Sequence, residues 1–472
     1  MLNEPDEALL DALRAVAPHD VPGPAHLTEG RGLYEGRGAI LMRPGSAREV
    51  AEIVRLCAGA RVGIVPWGGG TGLVGGQVKP EGPAPVLVSL GRMNAIREVD
   101  AAGATLTAEA GATLASLHAA AEGAGLMFPL SYASEGTATI GGALAVNSGG
   151  LQAVRYGIAR DLCLGLEVVT PEGAVWDGLS VLRKDNTGYS LRDLHIGAEG
   201  TLGLITAAVV RLVPRPGARV AAWLALPSAE AAVRLLGALQ AASGGAVAVF
   251  ELMAEIAVGF GVGHLPGARR PVEADAPWHV LTELWGPEAA PLDAALERVA
   301  GEALERGDVL DAVIAQTEGQ RADFRALRES LSDAQRDHGG SIKHDISVPV
   351  AAIPAFLAEA DAAVARVVPG ARPCPFGHLG DGNLHYNVTQ PAGADTAAYL
   401  AHWGAMNEAV HDVVARHRGS FSAEHGIGRL KRDELARRAD PAKLSAMRAI
   451  KAALDPHGIM NPGAVLRTGE GG

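Results

Sequence analysis

The sequence PWGGGTGLVGG, residues 66–76, directly follows the strand-like run RVGIV. It contains a formal GxGxxG match starting at Gly70, a pattern that opens a helix in the Rossmann dinucleotide-binding fold. The next segment, QVKPEGPAP, cannot form that helix because prolines and a glycine interrupt it. Consecutive glycines instead allow neighbouring backbone N–H groups to form a concave, anion-binding nest. The loop therefore predicts a pyrophosphate site, with a purely structural turn as the alternative.

Two more glycine-rich segments occur in the same part of the chain. SYASEGTATIGGALAVNSGGLQAVRYG spans residues 131–157, and KDNTGYSL, residues 184–191, precedes IGAEGTLGLIT at residues 196–206. From residue 39 to about residue 215, short β-like runs alternate with a few helices, which is a nucleotide-binding pattern of the α+β or α/β class. Three such loops in one region indicate an extended dinucleotide as the ligand.

Histidines and a glutamate lie in two glycine-rich turns near the C-terminus, GHLGDGNLHYN from Gly377 and SAEHGIG from Ser422. The Asp-Gly pair in the first turn predicts a hairpin that returns His385 towards His378. With Glu424 they form a two-histidine, one-carboxylate set, which in catalytic zinc sites leaves a coordination position open. Manganese and iron suit the same ligands. The alternative is a pair of ordinary polar turns.

Composition limits the function classes. The chain has 472 residues, a net charge of −12 and 4% aromatic residues, which disfavours nucleic acid and anionic membranes as partners. The three cysteines are scattered, the first residues are acidic and helix-like rather than a basic segment followed by an apolar signal core, and no apolar run approaches the roughly 18 residues of a membrane span. We expect a cytoplasmic protein with no integral membrane segment.

A change of pattern follows the turn PRPG at residues 214–217. Strands and helices then alternate in an order that predicts an antiparallel sheet covered by helices. The predicted fold class is α+β, with a helical lead-in at 1–36, a nucleotide-binding domain at 37–215, a substrate or cap domain carrying the metal site at 216–425, and a C-terminal segment at 426–472 that packs back on the nucleotide-binding domain.

A basic group is predicted close to the histidine turns. Arg328 and Ser332 are four residues apart on a predicted helix and share one face. In the predicted strand SIKHDISVPV, Lys343 has the same facing as Asp345, and Asn387 has the same facing as His385. These side chains could bind one anionic ligand. The alternative is a solvated charged helix with a salt-bridged lysine.

The glycine loops and histidine turns together resemble one flavoprotein group. PWGGGTGLVGG, IGGALAVNSGG, RKDNTGY, GAEGTLGLIT, GHLGDGNLHYN and AEHGIG are similar to motifs of the vanillyl-alcohol oxidase and p-cresol methylhydroxylase superfamily. Within it the chain resembles the FAD-linked D-2-hydroxyacid dehydrogenase family, which includes D-2-hydroxyglutarate and D-lactate dehydrogenases and the glycolate oxidase catalytic subunit. The resemblance implies a two-subdomain FAD-binding domain of that superfamily's type plus a cap domain.

The resemblance also implies site residues. The FAD is expected to be non-covalent, because the first loop lacks a histidine placed to attach it. The positions that match the family's FAD-binding residues are Pro66, Gly68, Gly69, Gly70, Thr71, Gly72, Ser134, Thr137, Gly142, Asn147, Tyr156, Ile205 and Asn461. The positions that match metal ligands are His378, His385 and Glu424, and His425 matches the base. The substrate-binding set comprises Arg328, Ser332 and Lys343, with Asn387 added as a pocket neighbour.

The reaction implied is metal-assisted oxidation of a D-2-hydroxy acid to the 2-oxo acid, with hydride transfer to flavin N5. D-2-hydroxyglutarate is favoured, and D-lactate and D-malate also suit the site. An electron-transfer flavoprotein, a quinone or a cytochrome would accept the electrons, and a homodimer is compatible with the sequence. Two rivals stay open: a same-fold flavin transferase resembling alkylglycerone-phosphate synthase, and a flavin-free metallohydrolase.

Overall fold

A computed structural model of the protein describes residues 1–467. The strands are, in chain order, β1 (His19–Asp20), β2 (Ile40–Met42), β3 (Ile64–Trp67), β4 (Val86–Ser89), β5 (Ile96–Asp100), β6 (Thr105–Glu109), β7 (Leu126–Met127), β8 (Cys163–Val169), β9 (Val175–Gly178), β10 (Leu204–Arg211), β11 (Val213–Pro214), β12 (Ala218–Leu226), β13 (Val247–Ala254), β14 (Trp278–Gly286), β15 (Asp311–Ile314), β16 (Ser341–Ile342), β17 (Asp345–Ser347), β18 (Arg372–His378) and β19 (Asn383–Thr389).

The α-helices are α1 (Glu7–Val16), α2 (Pro24–Leu27), α3 (Ala47–Ala60), α4 (Leu114–Gly123), α5 (Ile140–Val146), α6 (Ala153–Tyr156), α7 (Ala159–Leu162), α8 (Leu191–His195), α9 (Ala229–Ala242), α10 (Glu255–His264), α11 (Leu292–Glu305), α12 (Glu318–Ala334), α13 (Ile353–Val367), α14 (Thr396–Leu400), α15 (Trp403–Arg416), α16 (Arg432–Arg438) and α17 (Pro441–Leu454). Short 3-10 turns occupy Gln335–His338, Val350–Ala352 and Leu379–Asp381. Within residues 1–467, no helix combines the length and the hydropathy that a membrane crossing requires.

The first compact unit comprises Met1–Gly150, Gly157–Arg215 and the described residues from Glu424 onward. It contains two larger sheets. In the order β1-β2-β4-β3, the central strand β4 runs parallel to both β2 and β3. In the order β5-β6-β10-β8-β9, every pairing is antiparallel. The two sheets agree with the expected α+β class and with an FAD domain built from two subdomains.

The C-terminal segment is tied to the strand that leads into the glycine loop. The backbone N–H of Ile64 donates to the carbonyl of Ile459 at 2.7 Å, and the N–H of Asn461 donates back to the Ile64 carbonyl at 2.8 Å. Strand β3 thus gains a partner from residues almost 400 positions later. This pairing places Asn461 beside Ile64, the first residue of the strand that leads into the loop.

The second unit comprises Leu151–Tyr156 and Pro216–Ala423. Its sheet has the order β15-β12-β14-β13-β18-β19-β16, with β17 also paired to β19, and all its pairings are antiparallel. Side chains alternate across each strand. On β12, Ala222 and Leu224 join the core formed with α9, α11, α13 and α15, whereas Ala221 and Trp223 join the core formed with α10 and α12. The expected antiparallel sheet covered by helices is confirmed. The four domain limits stay a prediction.

One predicted strand is interrupted. The run SIKHDISVPV was expected to be continuous, but it forms β16 and β17 with a break at Lys343 and His344. Both pieces keep one register on β19, since Ile342 lies opposite Val388 and Asp345 lies opposite His385. In the break, the His344 imidazole bonds the Tyr386 carbonyl at 2.7 Å, a side-chain bond that competes with the ladder. The expectation that Lys343 projects from a strand is therefore wrong.

Candidate active site

A cleft opens in the first unit where the glycine loop follows β3. Cofactor sites combine apolar walls with a few polar groups. Here Leu90, Ala110 and Leu204 supply apolar surface, and Gln77 and Asn461 supply polar groups. The predicted cofactor residues that line the cleft are Pro66, Gly68, Gly69, Gly70, Thr71, Gly72, Gly142, Ile205 and Asn461.

Two positions in this loop, Gly69 and Gly70, have no room for a side chain. A Cβ on Gly69 would lie 2.0 Å from the carbonyl oxygen of Thr137, well inside van der Waals contact. Gly70 has a φ of +71°, and a Cβ there would meet the ring of Trp67 at 2.6 Å. Thr137 therefore supports the loop through its backbone. The bare, partly left-handed backbone fits the nest that the sequence predicts for a pyrophosphate.

Other predicted cofactor residues do not line the cleft within the described part of the chain. Ser134 begins a turn in which its backbone carbonyl accepts hydrogen bonds from the N–H groups of Thr137 and Ala138. Asn147 ends α5 with a φ of +55°, and its Oδ1 accepts from the N–H of Arg160 at 3.0 Å. Tyr156 ends α6 in the second unit. Their roles towards FAD stay predictions.

The segment KDNTGYSL is not part of the cleft lining. Residues 181–190 are all exposed, and Tyr189 has 94% of its surface accessible. Of the glycine-rich segments, the first two and GAEGTLGLIT contribute residues to the cleft lining, whereas KDNTGYSL does not. The physical reason is that 184–191 belongs to the connection between β9 and α8, which runs over the surface as most loops do.

Glu199 connects the cleft with the turn that contains Glu424 and His425. Its fully buried carboxylate accepts hydrogen bonds from the N–H groups of Ile427 at 2.7 Å and Gly428 at 2.8 Å. Burial raises the pKa of Glu199 to about 7, although these two donors oppose the shift. Its carbonyl accepts from Nδ2 of Asn461 at 2.8 Å. Glu199 also lines the cleft.

His195 is a further cleft residue that the sequence did not reveal. It ends α8, is 9% exposed and lies beside Gly203, where an added Cβ would meet its ring at 3.3 Å. Burial lowers the pKa of His195 to about 4. Its imidazole is therefore neutral at physiological pH.

In the second unit the predicted hairpin is present. Strands β18 and β19 are antiparallel, and Gly382 closes the connecting turn with a φ of +86°. The rings of His378 and His385 are 5.5 Å apart, centroid to centroid. Asp345 lies opposite His385, and the ligand-capable atoms of these two residues are within 4.8 Å of each other. Two imidazoles and a carboxylate are a donor set that suits zinc, manganese or iron.

Strand alternation explains why these polar groups share a face. On β19, Leu384, Tyr386 and Val388 point into the core formed with α9, α11, α13 and α15. The two residues between them face the opposite way. That opposite face is the one covered by α10 and α12. His385 and Asn387, which alternate with the core residues, are thus directed to the α12 side. The expected facing of the strand is confirmed.

Glu251 is a buried carboxylate on the neighbouring strand β13, directly opposite His378. Its Oε1 lies 2.6 Å from Nδ1 of His378, and its Oε2 accepts from Nε of Arg328 at 2.7 Å. Burial raises the pKa of the carboxyl group, but the positive charges of Arg328 and His378 outweigh it, and the net pKa is lowered to about 2. The carboxylate is therefore ionised in the folded protein.

The predicted substrate-binding residues lie around α12. Arg328 and Ser332 are one turn apart on this helix, as expected. Nζ of Lys343 donates to the Ser332 carbonyl at 3.0 Å and lies 3.3 Å from its Oγ. Nδ2 of Asn387 donates to Oε1 of Gln335 at 2.9 Å. Arg328 is 8% exposed, and its Nη2, although 2.6 Å from Glu251, makes no hydrogen bond of acceptable geometry.

Glu424 and His425 begin the last segment of the first unit. Nε2 of His425 lies 3.7 Å from Oε1 of Glu424, which is too long for a hydrogen bond. The preceding residue, Ala423, belongs to the second unit, where its N–H donates to the Asp345 carbonyl at 3.3 Å. The covalent chain therefore leads to Glu424 directly from a residue bonded to the strand β17.

Sequence reasoning missed several site residues. Glu251 had one signal, because it is the only charged residue in the apolar run AVAVFELM. Glu199 lies inside the quoted motif GAEGTLGLIT but received no role. Asp345 is indicated by the sequence only through its shared facing with Lys343. His195 had no signal, since a lone histidine before a glycine turn is not specific.

Two family models match the chain. The model described as FAD linked oxidases, C-terminal domain, matches residues 215–465, and the model described as FAD binding domain matches residues 38–178. A D-2-hydroxyglutarate dehydrogenase from Stutzerimonas stutzeri is 38% identical over 427 residues, covering 90% of each chain. The enzyme of that name from Xanthomonas citri pv. viticola is 37% identical over 425 residues, covering 90% of this chain and 88% of its own.

Solved structures share the fold. p-Cresol methylhydroxylase with substrate bound superposes with a TM-score of 0.75 at 17% identity, covering 98% of this chain and 96% of its own. Alkyldihydroxyacetonephosphate synthase gives a TM-score of 0.74 at 20% identity, covering 98% of this chain and 85% of its own. At these identities the similarity establishes the fold alone. The predicted fold of the p-cresol methylhydroxylase type is confirmed.

Proposed function

The chain belongs to the FAD-linked oxidase family, and on this basis we propose that it oxidises a D-2-hydroxy acid to the 2-oxo acid, with D-2-hydroxyglutarate as the favoured substrate. The observation that carries the proposal is the similarity, along nearly the whole chain, to proteins named D-2-hydroxyglutarate dehydrogenase. D-Lactate and D-malate remain alternative substrates of the same chemical class.

FAD is the cofactor that the family and the cleft support. When bound, it accepts the hydride of the substrate alcohol. The protein's part is to hold it. The backbone of residues 68–72 would hold the pyrophosphate, Ile205 would contact the flavin through its backbone, and Asn461 would close the site from the C-terminal segment; all of them line the cleft. We propose that Ser134, Thr137, Asn147 and Tyr156 act through the loops they shape or through contacts with the bound cofactor.

We propose that His378, His385 and Glu424 bind a divalent cation, with zinc preferred over manganese and iron. The paired imidazoles of the β18–β19 hairpin support this assignment. Further support comes from Ala423, which is bonded to the strand of Asp345 and is followed directly by Glu424. Such a cation, when bound, lowers the pKa of a coordinated hydroxyl group.

The base that we propose is His425. A neutral imidazole can remove the hydroxyl proton near physiological pH. Arg328 supports the proposed binding of the substrate carboxylate, because its buried Nη2 still has a donor without a hydrogen-bond partner. Lys343 and Ser332 lie together and would add a cation and a hydroxyl. Asn387 would contribute its amide from β19.

The experiment is flavin bleaching under anaerobic conditions with a panel of D- and L-2-hydroxy acids. We expect the flavin absorption band at about 450 nm to disappear stoichiometrically with D-2-hydroxyglutarate and to persist with the L-isomer. A flavin transferase would bind FAD without being bleached by any hydroxy acid. A metallohydrolase would show no flavin band at all. Either of these two results would contradict the proposed function and favour the corresponding alternative.

The electron acceptor, location and assembly are part of the proposal. We propose that an external electron-transfer flavoprotein, quinone or cytochrome reoxidises the flavin in the cytoplasm, and that the protein forms a homodimer. Three buried, unpaired cysteines support a reducing compartment. Acceptor competition assays, cell fractionation and sedimentation test these points separately.

A further inference from the structure

Glu251 is an unusual residue for its position. It lies in the middle of β13, whose residues are all buried, and is itself 0% exposed. Burying a carboxylate is costly unless charges and hydrogen bonds compensate it. Its partners therefore indicate what the group is for.

Each oxygen of the carboxylate has a different partner. Oε1 is 2.6 Å from Nδ1 of His378, a proposed metal ligand. Oε2 accepts from Nε of Arg328, a proposed substrate-binding residue, at 2.7 Å. The guanidinium also stacks over the ring of Phe376 with its Cζ 5.2 Å from the centroid. One carboxylate thus connects two functions assigned to separate elements.

The hydrogen bond fixes the chemistry of His378. A carboxylate that is paired with an arginine accepts hydrogen bonds, so the neutral form of His378, which is the form that binds a cation, carries its one proton on Nδ1. In that form Nε2 carries the lone pair with which the ring would coordinate the cation. Metal-bound histidines usually donate their other ring N–H to such a carboxylate or carbonyl, which sets the tautomer and the ring orientation.

We infer that Glu251 is a positioning residue that holds His378 in its cation-binding tautomer and Arg328 in its substrate-binding orientation. This inference rests on the proposed function. Glu251 touches neither cation nor substrate and acts through its two partners. Removing its charge therefore weakens cation binding and substrate binding together.

Glu283 provides a matched control. It lies on the adjacent strand β14, is 1% exposed and forms an ion pair with Arg325, which lies one turn before Arg328 on α12. Its second partner is Nε1 of Trp285 at 2.7 Å. Glu283 thus reproduces the burial and the arginine pair of Glu251 without contacting a proposed ligand.

The test is Co²⁺ titration of the metal-stripped, FAD-containing enzyme and of its E251Q and E283Q variants, followed by the visible absorption of bound cobalt. We expect E251Q to bind Co²⁺ about 10- to 100-fold more weakly and E283Q to match the wild type. E251Q should also raise the KM for D-2-hydroxyglutarate, whereas E251D should recover part of the Co²⁺ affinity.

Several results would overturn the inference. Equal Co²⁺ affinity in E251Q and wild type would remove the positioning role while the proposed function stands. Equal losses of Co²⁺ affinity in E251Q and E283Q would show that both residues act only as structural ion pairs. If the wild type bound no Co²⁺, that result would contradict both the proposed metal site and the inference about Glu251. Should E251Q not fold, E251Q/R328M removes both buried charges, and wild-type Co²⁺ affinity in that variant would contradict the role equally well.

Discussion

The carboxylate of Glu199 accepts the backbone N–H of Gly428 at 2.8 Å, so a residue that lines the cofactor cleft holds the turn that follows His425. The same carboxylate accepts the N–H of Ile427. A Cβ on Gly426 would lie only 2.9 Å from its Oε1, which explains a glycine there. The proposed base thus belongs to a turn whose shape depends on a buried side chain of the cofactor domain.

Replacing Glu199 by glutamine should loosen that turn. Glutamine offers one acceptor oxygen, so one buried N–H loses its partner at a cost of about 1–3 kcal/mol. We expect faster amide exchange at Ile427 and Gly428 and slower flavin reduction by substrate. Glu29 is a matched control, because it is 1% exposed and also accepts two backbone N–H groups, from Arg31 and Leu33. E29Q should leave the 427–428 amides protected; equal exchange in both variants would argue against a local anchor.

The glycine loop predicts a strict size limit at residue 69. In G69A the new methyl group would approach the Thr137 carbonyl to 2.0 Å, so the loop must shift. Overpacking of this kind costs about 1–3 kcal/mol, which corresponds to a loss of about 5-fold to 150-fold in FAD affinity. The flavin content of purified protein measures it. G59A, on α3 with no atom within 4 Å of the added group, should retain full flavin. Full flavin in G69A would show that the loop is not the pyrophosphate cradle.

His195 predicts a pH-dependent stability of the cofactor unit. Its pKa is lowered by burial to about 4, whereas an unfolded histidine titrates at 6.5. Below pH 6.5 the unfolded state takes up a proton that the folded state does not, so stability falls as the pH drops towards 4. At pH 5.5 the loss is about 1 kcal/mol. The urea midpoint, followed by flavin fluorescence, should fall less for H195F than for wild type between pH 7.5 and 5.5. Parallel slopes would refute the buried neutral imidazole.

Lys343 should distinguish dicarboxylates from monocarboxylates. A hydrogen bond to a charged group contributes about 1.5–3 kcal/mol, so K343M should raise the KM for D-2-hydroxyglutarate about tenfold to a hundredfold. D-Lactate lacks the second carboxylate, and its KM should change much less. Steady-state kinetics with both substrates measures the difference. An equal change for the two acids would assign Lys343 to the carboxylate that all 2-hydroxy acids share.

Local patterns predicted the elements that depend on local chemistry. The hairpin around Gly382 follows from its Asp-Gly turn, and the one-turn spacing of Arg328 and Ser332 follows from helical periodicity. The need for glycine at position 70 also follows from local chemistry, because this residue has a positive φ. In each case the determinant lies within a few residues of the feature.

Long-range partners could not be predicted in the same way. In the break between β16 and β17, the His344 imidazole bonds the Tyr386 carbonyl, 42 residues away. The pairing of Glu251 with His378 spans 127 residues, and that of Glu199 with Gly428 spans 229. Period and propensity contain no information about such pairs. The exposed segment at 184–191 shows the converse, since a glycine-rich motif alone does not place a loop in a cleft.

The most direct test of the proposed oxidation is rapid anaerobic mixing of the FAD-containing enzyme with D-2-hydroxyglutarate. The flavin absorbance at about 450 nm is monitored. We expect fast, stoichiometric bleaching of wild type. H425A should stay yellow and be bleached very slowly, and chelation of the cation should slow wild type similarly. Unchanged bleaching in both H425A and chelated enzyme would contradict the proposed base and cation, and a flavin that no D-2-hydroxy acid reduces would contradict the proposed function itself.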